Sequence, residues 1–244
     1  RYTFVVEEIN EEKSNLILKG KLSGNMHVFD EVYVYSLEND VFTARILSIR
    51  MNEKICRKAK DDNVEIVVKK NEKTKCIKKY CVLSDIIAVS DSMHDNLNEL
   101  PYIRGLLSVY DACRDDPHFT SLVLWLVSHA NLLVCAKSTT EHYGDIMDPL
   151  QENTSAAFMS VSTSADENLF ILPAFTDWDA LHRWSSMMME KDAVTLIMKY
   201  EEVEKIMENG FGGIVINPFG PQPFFMPEQL CKTILQMNQS EDDK

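Results

Sequence analysis

The residues best able to do chemistry in this sequence are scattered, and few stand at the spacing of a catalytic or metal site. Cys76 and Cys81 form a C-x4-C pair in CIKKYC, but no second pair and no His-x3-5-His follows. We therefore do not expect a zinc site. His182 has no cysteine or carboxylate partner at motif spacing, which favours a surface histidine over a catalytic one.

Two further segments resemble functional motifs but have simpler structural explanations. NGFGG at 209–213 follows a predicted helix and precedes a predicted strand, which is the reverse of a phosphate-binding loop, so we expect a helix C-cap and a turn. The glutamates of the predicted amphipathic helix after residue 200 should lie on its solvated face. They are Glu201, Glu202, Glu204 and Glu208. G-x-S-x-G, H-E-x-x-H, G-x-G-x-x-G and the P-loop are all absent. We predict no enzymatic activity, no metal and no cofactor.

Two stretches are the best candidates for a partner-binding site. FILPAFTDWDALHRW at 170–184 predicts a strand followed by a helix, with Thr176 as N-cap and Trp184 in the core. INPFGPQPFF at 216–225 predicts an exposed, stiff turn, because prolines restrict the residues that precede them. The turn either positions two strands or joins the first stretch in a site for a peptide or protein. The candidate residues of that site are Phe175, Thr176, Trp178, Asn217 and Phe219.

A basic run extends from Lys54 to Lys79, with ten Lys/Arg and four acidic residues. Lysines on solvated strand edges, which oppose aggregation, are one explanation. A weak contact with RNA or an acidic partner is a second, and docking of the acidic second domain is a third. The residues proposed for an RNA or acidic-partner contact are Lys69, Lys70, Lys78 and Lys79.

The first part of the chain, from Tyr2 to about Val89, consists of short alternating or β-branched runs separated by turn-like segments. The runs are YTFVVEEI, NLILKGKL, EVYVYSL, VFTARILSI, VEIVVKK and CVLSDIIAV. Short strands at close spacing, with no helical window between them, predict a small antiparallel β-barrel. We assign this barrel to residues 1–90.

The second part of the chain has a different texture. A polar, proline-stopped stretch predicts a linker at 91–100. From 101 to 244, helical windows alternate with short apolar runs, which predicts an α/β (α+β) domain with helices packed on a mixed sheet. Residues 137–156 have neither period and predict a long loop, and 238–244 a polar tail. An unrecognised enzyme that uses the long loop as a lid stays an alternative.

The charge distribution limits the partners. Residues 1–90 carry 16 Lys/Arg and 14 Asp/Glu, a net charge of +2, whereas the whole chain carries −13, which leaves −15 for residues 91–244. The acidic part is a poor nucleic-acid binder, and we expect no DNA contact. No apolar run is long enough to span a membrane. Six scattered cysteines favour reduced thiols and a cytoplasmic location.

Residues 2–90 resemble the second, β-barrel domain of elongation factor Tu-type translational GTPases. The similarity rests on GKLSGNMHVFDEVYVYS, KAKDDNV and IKKYCVLSD. Phe29, Asp61 and Tyr80 stand where that family has glycine, which predicts either reshaped turns or a divergent copy of the barrel. The resemblance implies a barrel that binds RNA or protein. Without a P-loop, GTP hydrolysis is not supported.

Residues 101–237 resemble the SseB-type (enhanced serine sensitivity) family of bacterial proteins. The residues that carry this resemblance are LPAFTDWDAL, Trp184, GIVINPFG and PEQLCKTIL. It implies an α/β domain of bacterial cytoplasmic proteins with no established reaction. We therefore predict a binding or regulatory protein that acts through an unknown protein partner. The alternative is weak RNA or ribosome binding through residues 54–79.

Overall fold

The chain folds into two compact units. The computed structural model describes residues 1–91, 97–138, 156–163, 166–184, 193–207 and 210–242. The first unit comprises Arg1–Val89 and Glu99–Val123, and the second comprises Ser90–Asn98 and Leu124–Lys244.

The first unit contains a closed antiparallel β-barrel, as predicted. Its strands are β1 (Tyr2–Glu12), β2 (Asn15–His27), β3 (Glu31–Tyr35), β4 (Phe42–Met51), β5 (Lys54–Cys56), β6 (Lys58–Lys60), β7 (Asn63–Lys69) and β8 (Val82–Ser84). The order β1-β8-β3-β4-β7-β2 returns to β1 through the β1–β2 pair, which closes a barrel of six strands. β5 adds to β4, and β6 adds to β2. Each predicted run contains one barrel strand.

The barrel core follows the two-residue period of its strands. The interior side chains include Phe4 and Val6 of β1, Leu16 and Leu18 of β2, and Ile66 of β7. Alternate residues of a strand point to opposite faces, so one face fills the interior.

The outer face of β1 is buried as well, since Thr3 and Val5 are covered. A Cβ added at Gly105 would lie 2.7 Å from Cγ1 of Val82 and 3.4 Å from Cβ of Thr3. The segment that contains Gly105 therefore packs closely on the outside of β1 and β8.

The three residues that the resemblance placed at glycine positions have a left-handed backbone. The φ angles are 75° at Phe29, 44° at Asp61 and 69° at Tyr80. This region favours glycine, so the turns have the backbone that glycine would adopt. The expectation of reshaped turns or a divergent copy stays a prediction. The resemblance to the translational GTPase barrel stays a prediction.

Three helices follow the barrel: α1 (Pro101–Leu107), α2 (Tyr110–Cys113) and α3 (Pro117–Ser128). Packing assigns α1, α2 and the first half of α3 to the barrel unit, whereas the sequence-based boundary assigned them to the second domain. Part of the predicted linker is regular structure, because β9 (Val89–Asp91) pairs with β10 (Leu97–Glu99). Residues 92–96 lie outside the described residues.

The second unit contains a mixed sheet, as predicted. Its strands are β11 (Asn131–Ser138), β12 (Ala156–Phe158), β13 (Val161–Thr163), β14 (Asp166–Phe175), β15 (Ala193–Lys199), β16 (Gly213–Ile216) and β17 (Phe224–Pro227). β14 and β16 are parallel, and the neighbouring pairs β11–β15, β11–β14 and β16–β17 are antiparallel. The predicted loop 137–156 falls mostly outside the described residues, but Lys137 and Ser138 belong to β11.

The described helices of this unit after α3 are α4 (Trp178–His182), α5 (Tyr200–Met207) and α6 (Glu228–Asp242). Val203 and Ile206 of α5 are buried as predicted, but Glu204 is only 6% exposed. The solvated position predicted for Glu204 is wrong, because the residue lies one helical turn after buried Tyr200. α6 continues to Asp242 instead of ending at 237, since no Gly or Pro interrupts the polar sequence.

Candidate functional site

The two predicted binding stretches meet where the parallel strands β14 and β16 end. Thr176 follows β14 and Asn217 follows β16, so both lie at the same edge of the sheet. The Thr176 amide donates to Oδ1 of Asn217 at 3.1 Å, and Nδ2 of Asn217 donates to the Thr176 hydroxyl at 2.9 Å. Both side chains are buried, so these bonds join the two strand ends away from solvent.

Asp177, rather than Thr176, caps α4. Its backbone is extended and its carboxylate accepts the Ala180 amide at 2.9 Å. The other carboxylate oxygen accepts the Thr176 hydroxyl at 2.8 Å. The Thr176 hydroxyl is therefore engaged between Asp177 and Asn217, which corrects the predicted N-cap. The carboxylate connects the helix start to the joined strand ends.

The loop after β16 is a tight turn with an aromatic residue near its tip. Asn217 has a φ of 52°, in the left-handed region, and its carbonyl accepts the Gly220 amide at 2.9 Å. The backbone N–H of Asn217 donates to the backbone carbonyl of Ala174 at 2.8 Å. These contacts fix the direction in which Pro218 and Phe219 leave the sheet.

Three aromatic rings stack from the core to the surface at this edge. The ring centroids of Phe175 and Trp184 are 6.0 Å apart, and those of Trp184 and Phe219 are 5.4 Å apart with an interplanar angle of 24°. Phe175 is fully buried, Trp184 is 7% exposed and Phe219 is 39% exposed. We call these three rings the aromatic ladder. Its outer end, Phe219, reaches the surface.

The surface beside the ladder is formed by the first turns after Asp177. The Trp178 ring lies 5.9 Å from that of exposed His182. A Cβ added at Gly220 would lie 3.5 Å from a guanidinium nitrogen of Arg183, so Arg183 extends alongside the turn. Sequence reasoning did not select Arg183, since a single exposed arginine carries no motif.

The five predicted partner-binding residues therefore have two different positions. Phe175, Thr176 and Asn217 are buried and hold the turn, whereas Phe219 and half-buried Trp178 reach the surface. Asn98 is a supporting residue that the sequence did not reveal, because it fell in the predicted linker. Its amide group donates to the carbonyls of Asn131 and Thr176, at 3.1 and 3.2 Å. It attaches β10 to the same sheet edge.

The chemistry available in the described ranges is limited. No group of three or more His, Cys, Asp or Glu side chains among these residues is arranged to hold a metal ion. Cys135 lies under the ladder in the core that contains Phe175 and Trp184, and burial raises the pKa of its thiol to about 11. The protonated thiol is a poor nucleophile at neutral pH.

The four lysines predicted to contact RNA or an acidic partner all have partners within the barrel unit. Lys70 pairs with Glu11, and Lys78 pairs with Glu38. Lys79 lies 3.6 Å from a carboxylate oxygen of Asp116 and over the ring of Tyr80. Lys69 donates to the hydroxyl of Ser14 at 3.1 Å. Much of their charge is thus balanced within the fold.

The fold and site define a two-unit protein, in which a closed β-barrel precedes an α/β unit with an aromatic ladder at its sheet edge. The sequence matches the family model described as the SseB protein N-terminal domain over residues 104–231. The chain belongs to this family. The predicted family resemblance is confirmed, and the family description names no reaction.

Other comparisons add little. No curated protein sequence matched the chain. Among solved structures, the C-terminal domain of a Geobacillus thermoleovorans protein described as a U32 peptidase aligns with 33% of this chain and 86% of that domain, at 17% identity and a TM-score of 0.28. None of the helices in the described ranges combines the length and hydropathy needed for a membrane crossing.

Proposed function

We propose that this chain is a non-catalytic bacterial binding protein that regulates a protein partner by direct contact in the cytoplasm. The outer end of the aromatic ladder is the contact surface. Phe219 contacts the partner, with Trp178 and Arg183 beside it. Aromatic residues and arginine are enriched among the residues that dominate binding energy at protein interfaces.

The position of Phe219 is the observation that carries this proposal. Its ring is 39% exposed, although the turn that presents it is rigidly held by buried hydrogen bonds. Rigid presentation lowers the entropic cost of binding, because little conformational freedom is lost when the partner docks. Phe175, Thr176 and Asn217 act as positioning residues beneath the surface.

The experiment is affinity capture of the intact protein from its source lysate, with and without ribonuclease, for Phe219→Ala and Trp178→Ala. Phe225→Ala is the matched control, since Phe225 is 43% exposed on β17 of the same unit. We expect Phe219→Ala to reduce recovery of specific proteins at least about tenfold, while Phe225→Ala leaves it unchanged. Recovery should resist ribonuclease.

Equal recovery by a folded Phe219→Ala variant would refute the proposed surface. Recovery of ribosomal or tRNA-linked material that ribonuclease abolishes would instead favour the barrel as the binding unit. Thermal unfolding of each variant separates loss of contact from loss of fold.

A further inference from the structure

A second surface, at one end of the barrel, combines exposed apolar side chains with cations that form no ion pair in the described part of the chain. The two most exposed large apolar residues in the described part of the chain are Ile55 at 75% and Phe29 at 69%. Lys54, Arg57 and Lys58 are exposed, and none forms an ion pair within the described residues. We call these five residues the barrel-end patch.

Backbone contacts bring the members of this patch together. The Val28 amide donates to the carbonyl of Arg57 at 3.0 Å, and His27 of β2 pairs with Lys58 of β6. Phe29 therefore lies beside Arg57 and Lys58. Ile55 is two residues before Arg57 along the chain, which is about 7 Å in extended backbone. An extended peptide of four or five residues would reach across the patch.

Phe29 is the least expected member, because its backbone is strained. Its φ of 75° disfavours a bulky side chain, and the exposed ring has no aromatic or ionic contact within the described residues. The other left-handed, non-glycine residues of the barrel turns are Lys13, Asn52, Glu53, Asp61 and Tyr80. Two of them have internal explanations. Asp61 accepts the Gly24 amide at 2.6 Å, and Tyr80 donates its hydroxyl to Asp116 at 2.7 Å. Phe29 is the residue of this set with an exposed aromatic ring, and such strain at a bulky exposed side chain supports the hypothesis that it recognises an external molecule.

The charge pattern identifies the class of that molecule. Lys54, Arg57 and Lys58 form no ion pair within the described residues, whereas Lys60 lies 4.0 Å from a carboxylate oxygen of Asp61 and the lysines that follow are mostly paired within the barrel unit. We propose that the barrel-end patch binds a short acidic segment of another protein that carries one or two large apolar side chains. Its carboxylates pair with Arg57, Lys58 and Lys54, and its apolar side chains pack on Phe29 and Ile55.

A peptide fits this surface better than a nucleic acid. Three cations neutralise few phosphates, and binding to single strands relies on a continuous basic groove with several stacking aromatics. The patch offers one aromatic ring and one aliphatic side chain.

The test is titration of the full-length, isotope-labelled protein with a fluorescein-labelled peptide, Glu-Glu-Leu-Glu-Glu-Phe-Glu-Glu, at about 50 mM salt. We expect amide shifts to cluster at 27–30 and 54–58. Phe29→Gly and the double change Arg57→Glu with Lys58→Glu should each weaken binding at least about fivefold. Glycine suits the left-handed backbone, so Phe29→Gly should stay folded. Ile55→Ser is a second variant that leaves this turn intact.

Lys73→Glu is the matched control, because exposed Lys73 follows β7 at the opposite end of β2 from His27. Its binding should stay within about twofold of the parent, since long-range charge effects are screened. Unchanged binding in the patch variants, or shifts elsewhere, would overturn the proposal. If a 12-nucleotide oligouridine bound more tightly than the peptide at about the same salt concentration, and this binding depended on Phe29, the ligand would be nucleic acid rather than an acidic protein segment.

Discussion

Phe29, Asp61 and Tyr80 share one backbone conformation but use their side chains differently. All three have a positive φ, which costs a non-glycine residue about 1–2 kcal/mol. Tyr80 is 3% exposed, its ring lies 4.9 Å from that of Phe119, and its hydroxyl bonds to Asp116. Its packing outweighs the strain, whereas the exposed ring of Phe29 gains little from the fold.

Replacing each residue with glycine should separate strain from packing. We expect Phe29→Gly to change the free energy of unfolding by between zero and about +1 kcal/mol, because relieved strain exceeds the entropic cost of glycine. Tyr80→Gly should lower the free energy of unfolding by about 2–4 kcal/mol, because a buried aromatic side chain is lost and the relieved backbone strain offsets only part of that loss. Urea unfolding measures both. Equal effects would show that the ring of Tyr80 contributes nothing beyond its backbone.

The Tyr80 hydroxyl also affects a carboxylate. Its hydrogen bond is the largest contribution holding the pKa of Asp116 below the ordinary value. When the pKa of a carboxyl group is lower in the folded than in the unfolded protein, its ionised form stabilises the fold at pH values above the unfolded pKa. This stabilisation is lost as the pH falls through the folded pKa. Asp116 is therefore part of the acid sensitivity of the barrel unit.

Tyr80→Phe removes the hydroxyl and keeps the ring. We expect the pKa of Asp116 to rise toward its ordinary value of about 3.9, while staying below it because the His118 and Phe119 amides still donate to this carboxylate. Carbon-13 NMR titration of the carboxyl group measures the change. A pKa that does not move would show that other donors dominate.

At the scale of elements, the sheet edge after β14 and β16 is organised by side chains rather than by further strand pairing. The Thr176–Asn217 bonds hold the strand ends together, and Asp177 attaches α4 to them. These groups are buried, so leaving any one without its partner costs more than a surface hydrogen bond. The turn at 217–220 depends on this network for its direction.

Two substitutions at Asn217 separate its hydrogen bonds from its backbone conformation. Asn217→Gly keeps the left-handed backbone but loses the side-chain bonds to Thr176, so we expect destabilisation of about 1–2 kcal/mol. Asn217→Ala loses the same side-chain bonds and, unlike the glycine variant, keeps a Cβ at a φ of 52°. This strain should add about 1 kcal/mol of destabilisation relative to Asn217→Gly. Urea unfolding compares the two variants. Identical values would indicate that the turn relaxes to another conformation in the alanine variant.

For the whole molecule, the distribution of charge matters more than its sum. Residues 1–90 carry slightly more basic than acidic groups, yet the predicted contact lysines are paired or hydrogen-bonded within the barrel unit. A run of lysines in the sequence therefore overstates the positive charge available to RNA. Lys54, Arg57 and Lys58 form no ion pair within the described residues, and exposed apolar side chains accompany them.

The limits of sequence reasoning are visible in particular residues. Trp184 is a core residue as its helical spacing predicts, and the six barrel strands follow their two-residue period. Asp177 in place of Thr176 as N-cap was not predictable, because the Thr176 hydroxyl is engaged by Asn217, 41 residues along the chain. Burial of Glu204 was missed, although it lies one helical turn after buried Tyr200. Local propensity cannot choose between neighbouring cap residues when tertiary hydrogen bonds decide.

The sequence by itself determined the two fold classes, their order and the family, because hydrophobic periodicity and turn residues are local properties of the chain. Only the tertiary structure decided that Phe219 ends an aromatic ladder, that the predicted lysines are internally engaged, and that Phe29 lies beside Arg57. The physical reason is that these features arise from contacts between residues far apart in sequence. Their spacing in the chain carries no record of such contacts.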